Sequence, residues 1–317
     1  MNRRTLTLLI VAVVVIGGVY AVTLWQRSQE TRRLVADLQS PDHAVAASAM
    51  MTLRDRVPAI SDELVEFLGS AQGPVRWRSA VLLGEAGDRV SRDALIAALR
   101  DEHATVRAQA ALSLAKRQIP AAADTIALIA SADEEPIELR IAALRALRSL
   151  RTGTHFGEVA GLLKDRPATP KPAEGEEGAE EWTDETAALR AEAARTAAVL
   201  GAAARGADEE QQPAVEAAAA LAEAATPIEP DDDVRQAAAY ALADLAILSP
   251  LPDVRARVTE ALLIAADDEI GDVRVAAIYG LRLVEHPREM ADRVAATIQE
   301  AASDDHYWVR QAAQEAI

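Results

Sequence analysis

Apolar and small residues recur at intervals of three and four along most of the chain, within a decapeptide that is repeated. The clearest copies are DVRQAAAYAL at 233–242 and DVRVAAIYGL at 272–281. In the first copy, Val234, Ala238 and Ala241 fall on one face of a helix, which predicts that this face is buried. Weaker copies occupy residues 43–53, 74–83, 104–114, 137–147, 187–197 and 307–317.

Every copy except the first carries an arginine at the same position. These anchor residues are Arg76, Arg107, Arg140, Arg190, Arg235, Arg274 and Arg310. They follow one another at roughly 30 to 50 residues, a period typical of stacked helical hairpins. Other amphipathic stretches, such as 62–68, 92–100 and 123–130, predict a first helix ahead of the motif helix in each repeat. Because one hairpin cannot bury its apolar face alone, the repeat predicts a stack.

Composition supports an all-α protein and excludes several classes of function. Half of the residues are hydrophobic but only 3% are aromatic, which suits closely packed helices better than a ligand cavity lined by rings. The net charge of −17 would repel DNA or RNA, so we expect no nucleic-acid partner. The chain has no cysteine, which excludes disulfides, thiolate metal sites and cysteine nucleophiles.

The N-terminus predicts a membrane segment. After the short tail 1–4, residues 5–25 are uncharged and apolar, long enough as a helix to cross a bilayer. A cleaved signal peptide is the alternative, because Val19-Tyr20-Ala21 offers small residues at a cleavage site. We favour a retained signal anchor, since the apolar stretch continues to Trp25. A single-pass protein with its repeat domain on the extracytoplasmic, periplasmic side is then expected.

The signature of an acidic turn followed by V-R-x-x-A-A-x-A-L resembles HEAT repeats, in particular the HEAT-like repeats of phycobilisome lyases. The resemblance covers about residues 31–317 and implies a right-handed α-solenoid of about eight hairpins, with repeats in 26–163 and 186–317. It also implies a ladder between turn aspartates and helix arginines of adjacent repeats, to which Asp233, Arg235, Asp272 and Arg274 correspond by position. The first copy departs from the pattern because Ala46 replaces the arginine.

Residues 164–185 interrupt the repeats with a segment rich in Pro, Gly and Glu. Such a composition predicts a disordered acidic loop. We interpret it as a tolerated insertion, because long surface loops add little closure entropy. The alternative is that Trp182 belongs to a short linear binding motif.

The sequence contains few residues in patterns typical of catalytic sites. Three of the five histidines, His43, His103 and His306, follow an acidic residue in the turn before a motif helix, and turn solvation accounts for them. The resemblance also includes the di-iron enzyme deoxyhypusine hydroxylase, but none of these histidines precedes a glutamate, so its His-Glu steps are missing. We therefore expect neither a metal nor another cofactor, and a protein that is not an enzyme.

A binding surface remains, and the repeat alignment predicts where it lies. The fifth residue after each anchor arginine forms one row of motif-helix positions, expected on the concave side of the solenoid. Its middle is basic, with Arg145 and Arg195, and its C-terminal half is aromatic, with Tyr240 and Tyr279. Ordinary packing between helices is the alternative explanation for this row.

The sequence thus predicts a membrane-tethered, noncatalytic scaffold or adaptor for a protein partner. An enzyme or maturation factor of the bilin-lyase kind, or a structural envelope protein, is the alternative.

Overall fold

The fold is taken from a computed structural model, which describes residues 3–166, 183–204 and 212–315. Side chains are described within these ranges except for residues 3–16, 24 and 212. The chain divides into two compact units, Met1–Ala98 and Leu99–Ile317. Over the described ranges both units are built from helices and turns, without a strand, as the composition predicts.

The first unit contains five α-helices and a 3-10 turn at Arg54–Ala59. The helices are α1 (Arg3–Asp37), α2 (His43–Leu53), α3 (Ser61–Phe67), α4 (Gly73–Leu83) and α5 (Arg89–Ala98). The α2 helix begins after Asp42, whose carboxylate accepts the backbone amides of Ala44 and Val45 and so satisfies two amides that the helix leaves unpaired. Helix α1 packs on α2, and α3 packs on α4 and α5.

The predicted membrane segment 5–25 falls within α1. The side chains of residues 5–16 and 24 lie outside the described part of the chain. Within the residues that were described, no helix combines the length and the apolar character needed to cross a bilayer. The structure therefore does not support the predicted membrane anchor.

The second unit arranges its helices in two layers. The motif helices form one layer: α6 (Ala104–Lys116), α8 (Ile137–Leu150), α10 (Ala187–Ala203), α12 (Asp232–Leu248), α14 (Gly271–Leu283) and α16 (Tyr307–Gln314). The helices that precede them form the other: α7 (Ala123–Ser131), α9 (Phe156–Leu162), α11 (Gln212–Ala224), α13 (Pro252–Ala265) and α15 (Ala291–Ala301). Each motif helix packs on the next, and the first helices pack similarly from α7 to α13. All eight motif copies thus lie on separate helices, six in this unit and two on α2 and α4.

Small residues let the helices approach closely. Val234 and Ala237 of α12 pack on Ala191 of α10, and all three are buried. At Gly201, a β-carbon would lie 2.6 Å from the β-carbon of Ala217, so α10 and α11 meet where a larger residue would not fit. The alanine-rich composition is therefore a requirement of the packing rather than a helix preference alone.

The structure describes the predicted disordered loop 164–185 only at its two ends. Residues 167–182, including Trp182, lie outside the described part of the chain. Both ends of the segment are anchored: Arg166 pairs with Glu223 at 3.1 Å, and the side chain of Asp184 is buried against Arg190. The local composition does not predict these contacts between charged residues at the two ends.

Candidate functional site

Four of the anchor arginines connect the turn before their own helix to the turn before the next motif helix: Arg107, Arg190, Arg235 and Arg274. In α12, the Nη1 atom of Arg235 donates to the carbonyl oxygen of Glu229 at 2.9 Å, in the turn that precedes its own helix. The Nε and Nη2 atoms of the same guanidinium donate to Asp268 at 2.9 and 3.2 Å, in the turn that precedes α14. Both side chains are almost completely buried, so the pair is shielded from water.

The same geometry recurs at other repeats. Arg274 donates to the carbonyl oxygen of Asp268 at 2.9 Å and to the Asp304 carboxylate at 2.8 and 2.9 Å. Arg107 donates to the carbonyl oxygen of Asp101 at 2.7 Å and forms an ion pair with Glu135. The carboxylates of Asp268 and Asp304 also accept a backbone amide of their own turn, at 2.9 and 2.7 Å. Asp268 and Asp304, each six positions before an anchor arginine, therefore join their own repeat to the preceding one.

Arg235 and Arg274 thus take part in a ladder, but their carboxylate partners differ from the expected ones. Asp233 and Asp272 lie in the first turns of α12 and α14, where both are exposed. Their negative charge at a helix N-terminus is favourable, but neither meets the guanidinium of the neighbouring repeat. The ladder acids are instead Glu229 and Asp268, four positions before Asp233 and Asp272. Asp304 has the same role for Arg274.

The most deeply buried charges lie at the insertion. Arg190 is fully buried and donates to Asp184 of its own turn and to Glu229 of the next, the latter at 2.7 and 3.2 Å. Burial alone would raise the pKa of Asp184, but the hydrogen bonds and charge of Arg190 outweigh it and hold that pKa below its usual range. The same guanidinium also donates to the carbonyl oxygen of Asp165 at 3.2 Å. One arginine therefore clamps both ends of the insertion.

The first repeat lacks the anchor arginine, and a different arginine takes its place. Arg78 of α4 is buried and donates to the carbonyl oxygens of Leu38 and Ser40, at 2.7 and 3.0 Å. Ser40 lies six positions before Ala46, so its carbonyl is the group that an arginine at position 46 would bind. The turn is therefore satisfied from the following repeat.

The basic half of the predicted binding row is gathered around one carboxylate. Glu192 of α10 is buried and lies 3.4 Å from Arg145, 2.7 Å from Arg148 and 3.8 Å from Arg195. The side chains of Arg145 and Arg195 remain 58% and 47% exposed. Three guanidinium groups around one carboxylate leave this part of the face positively charged in a strongly acidic protein.

The aromatic half of the row is a contact between neighbouring helices. The rings of Tyr240 and Tyr279 meet edge to face with centroids 5.9 Å apart, and the Arg282 guanidinium lies 5.8 Å from the Tyr279 centroid. Both tyrosines are partly exposed. Burial, followed by the neighbouring Tyr279 and Asp272, raises the pKa of the Tyr240 hydroxyl, so it remains a neutral donor near pH 7. The structure therefore brings the four predicted residues together as two pairs on one exposed face.

Sequence reasoning missed Arg148 and Glu192 on this face, and Asp268, Asp304 and Glu229 in the ladder. The ladder acids carried a usable signal, because an acidic residue stands six positions before Arg107, Arg190, Arg235, Arg274 and Arg310. No comparable sequence signal marked Glu192. It occupies a position where a buried alanine would also fit the repeat, and only the packing of α8 on α10 identifies its partners.

Two of the histidines lie near a carboxylate on another helix. His155 is 3.0 Å from Asp124, and His306 is 3.9 Å from Asp272. Among the residues that the structure describes, no three His, Asp or Glu side chains converge as metal ligands would.

Comparisons with known proteins agree with this architecture. The family model of HEAT repeats matches residues 31–115 and, overlapping them, 61–148. A search of curated proteins gave no match. Among solved structures, the Escherichia coli protein YibA is 18% identical, with a TM-score of 0.53 over 90% of this chain and 91% of that one.

Two further structures are similar at lower scores. An engineered protein is 20% identical, with a TM-score of 0.48 over 90% of this chain and 77% of that one. The complex of CpcE and CpcF of phycocyanin lyase from Nostoc sp. PCC7120 is 19% identical, with a TM-score of 0.42 over 85% and 94%. The likeness to YibA shows a shared fold and nothing about activity. The family match is the finding that confirms part of the resemblance: the chain contains HEAT repeats within residues 31–148.

Proposed function

We propose that this protein is a noncatalytic scaffold that binds an acidic segment of a partner protein on the exposed face of α8, α10, α12 and α14. HEAT repeats in residues 31–148 support a role in protein interaction. The observation that carries the proposal is the arrangement of Arg145 and Arg195, which share Glu192 at 3.4 and 3.8 Å yet keep about half of each side chain in solvent.

The chemistry of this face favours carboxylates. A guanidinium presents a fork of donors that matches a carboxylate, and charge-assisted hydrogen bonds of this kind are stronger than neutral ones. Glu192 neutralises only one of the three surrounding charges, and its contact with Arg148 is the shortest. Arg145 and Arg195 therefore retain donors for a second anion. The adjacent tyrosines add rigid contact area, and Arg and Tyr are the residue types that concentrate binding energy at interfaces.

Photocrosslinking in the native cell tests the location of the partner. A photoreactive phenylalanine derivative replaces Tyr279 on the proposed face or Leu128 on the first-helix layer, where Leu128 is also well exposed. We expect a discrete crosslinked protein from position 279 and none from position 128, and we expect Arg145→Glu with Arg195→Glu to abolish it. Equal crosslinking from both positions, or crosslinking that survives the double substitution, would refute the proposal.

Attachment to a membrane is a separate part of the proposal and is supported by the sequence of residues 5–25 alone. An uncharged stretch of this length that ends at Trp25 is typical of a retained anchor. The tail of four residues before it favours an orientation with the repeats outside the cytoplasm. Alkaline carbonate extraction of native membranes tests it. We expect the full-length chain in the membrane pellet. A soluble form that begins at Val22 would show cleavage instead.

A further inference from the structure

An apolar patch adjoins the basic part of the proposed face. On α12, Tyr240, Ile247 and Leu248 stand at helical spacings of seven and eight residues, and on α14 Tyr279 and Leu283 stand four apart. These five side chains are between 36% and 55% exposed. Tyr240, Tyr279 and Leu283 form one surface, because the two tyrosine rings are in contact and Leu283 lies one helical turn after Tyr279. Ile247 and Leu248 lie about two helical turns further along α12. A contiguous apolar surface marks an interaction site more often than isolated apolar residues do.

The basic and apolar parts of the face meet at Asp244. This residue lies on α12 between Tyr240 and Ile247. Burial raises the pKa of its carboxyl group, and the charge of Arg148 on α8 opposes that shift. Helix α10 packs on both α8 and α12. The arginines of α8 and α10 therefore lie beside the apolar patch, not on a separate surface.

We infer that the segment bound on this face is an amphipathic helix, with its acidic residues over Arg145 and Arg195 and its apolar stripe on Tyr240, Tyr279 and Leu283. This inference rests on the proposed function and narrows it from any acidic segment to a helix of defined polarity. An acidic extended segment would satisfy the arginines, but it would leave the apolar patch in water. A helix with apolar residues at every third or fourth position covers such a patch.

The dimensions of the face agree with this occupant. Four adjacent helices at interaxial distances of about 8–10 Å span about 24–30 Å from α8 to α14. A helix rises about 1.5 Å per residue, so a segment of about 16–20 residues crosses the face. The face also fixes the direction of the bound helix. Its acidic end must lie over the arginines of α8 and α10, and its apolar end over the apolar side chains of α12 and α14.

Two designed peptides of the same composition test binding of a helix separately from binding of any acidic segment. Both have 18 residues of Glu, Leu, Ala and Gln. In the patterned peptide, the glutamates lie at one end and the leucines follow helical spacing. In the scrambled peptide, the same residues stand in a random order. Fluorescence anisotropy with the full-length protein measures both affinities. We expect the patterned peptide to bind at least about tenfold more tightly, because ordered apolar anchors dominate such interfaces.

Variants of the protein complete the experiment. Ile247→Asn with Leu283→Asn should reduce binding of the patterned peptide to the level of the scrambled one. Ile264→Asn, an equally exposed position on α13 in the other layer, is the matched control and should leave binding unchanged. Equal, arginine-dependent binding of both peptides would overturn the helix while leaving an acidic segment as the ligand. Failure of both peptides to bind would overturn the inference, and the crosslinking from position 279 would then decide the function separately.

Discussion

Arg78 and Ser40 are joined by a hydrogen bond of 3.0 Å from the guanidinium to the main-chain oxygen, across two successive repeats. In five later repeats the corresponding oxygen is bound by the anchor arginine six residues downstream: Arg76, Arg107, Arg235, Arg274 and Arg310. In the first repeat position 46 is alanine, and Arg78 of α4 supplies the guanidinium instead. The requirement of the fold is therefore a guanidinium at the turn, and the sequence position that supplies it can change.

The first prediction follows from this replacement. Arg78→Ala should destabilise the first unit by about 1–3 kcal/mol, because buried carbonyl oxygens lose a charged donor. Adding Ala46→Arg to that variant should recover part of the loss, since position 46 is where other repeats carry the donor. Urea unfolding followed by circular dichroism measures both changes. An Arg78→Ala protein as stable as the parent would show that the turn does not need the guanidinium.

The second prediction concerns the buried ladder pair Arg235–Asp268. Each single substitution, Arg235→Met or Asp268→Asn, should cost about 3–5 kcal/mol, because it leaves one buried charge without its partner. The double variant should cost less than the sum, with a coupling of about 1–3 kcal/mol.

The exposed pair Arg293–Glu260, with contacts of 2.8 and 3.2 Å, is the control for that cycle. It has similar hydrogen-bond geometry but lies in solvent, so we expect no measurable coupling there. If the two cycles gave the same coupling, burial would not be what makes the ladder stabilising.

The third prediction is a pH dependence at Asp304. Burial alone would raise the pKa of this carboxyl, but Arg274 and the backbone amide of His306 outweigh it and hold the pKa at about 2. Since this folded-state value lies below the unfolded value of about 3.9, the carboxylate contributes stability that is present above about pH 4 and lost as the pH falls toward 2.

Asp304→Asn should accordingly reduce the free energy of unfolding by about 2 kcal/mol at pH 7, and the difference from the parent should shrink between pH 4 and pH 2. Chemical denaturation at several pH values measures it. A difference that stays constant over this range would show that ionisation of Asp304 does not contribute.

The fourth prediction concerns the insertion. Replacing residues 167–182 by a short glycine linker should leave stability nearly unchanged, because the carbonyl of Asp165 and the carboxylate of Asp184 bind the same nitrogen of Arg190, at 3.2 and 3.1 Å, and so hold the ends close. Extending the deletion through Asp184 should destabilise the protein strongly, because the fully buried Arg190 then loses a carboxylate. Thermal unfolding compares the two deletions, and equal melting temperatures would contradict the clamp.

The helical repeats could be predicted because the decapeptide combines a buried apolar face with a fixed anchor arginine, and all eight copies lie on helices. The ladder acids were misplaced because Asp233 and Asp272 are the first residues of the motif itself. Asp268 and Asp304 lie in the turns before the motif, and only the packing of adjacent repeats brings these turns to the arginines. The exposed row could be located by counting from the arginine. The charge of this row could not be predicted from the sequence, because Glu192 and Arg148 meet only after α8 packs on α10.

Binding of an acidic segment by the face of α8 to α14 is the central claim, and isothermal titration with the patterned acidic peptide tests it most directly. Arg145→Glu with Arg195→Glu should abolish binding while thermal unfolding shows the fold intact, and Arg145→Gln with Arg195→Gln should weaken it. The matched control is Arg89→Glu with Arg92→Glu on α5, which makes the same change in net charge at exposed positions. We expect the control to bind as the parent does. Undiminished binding by the Arg145→Glu, Arg195→Glu protein, or equal losses in the control, would contradict the account.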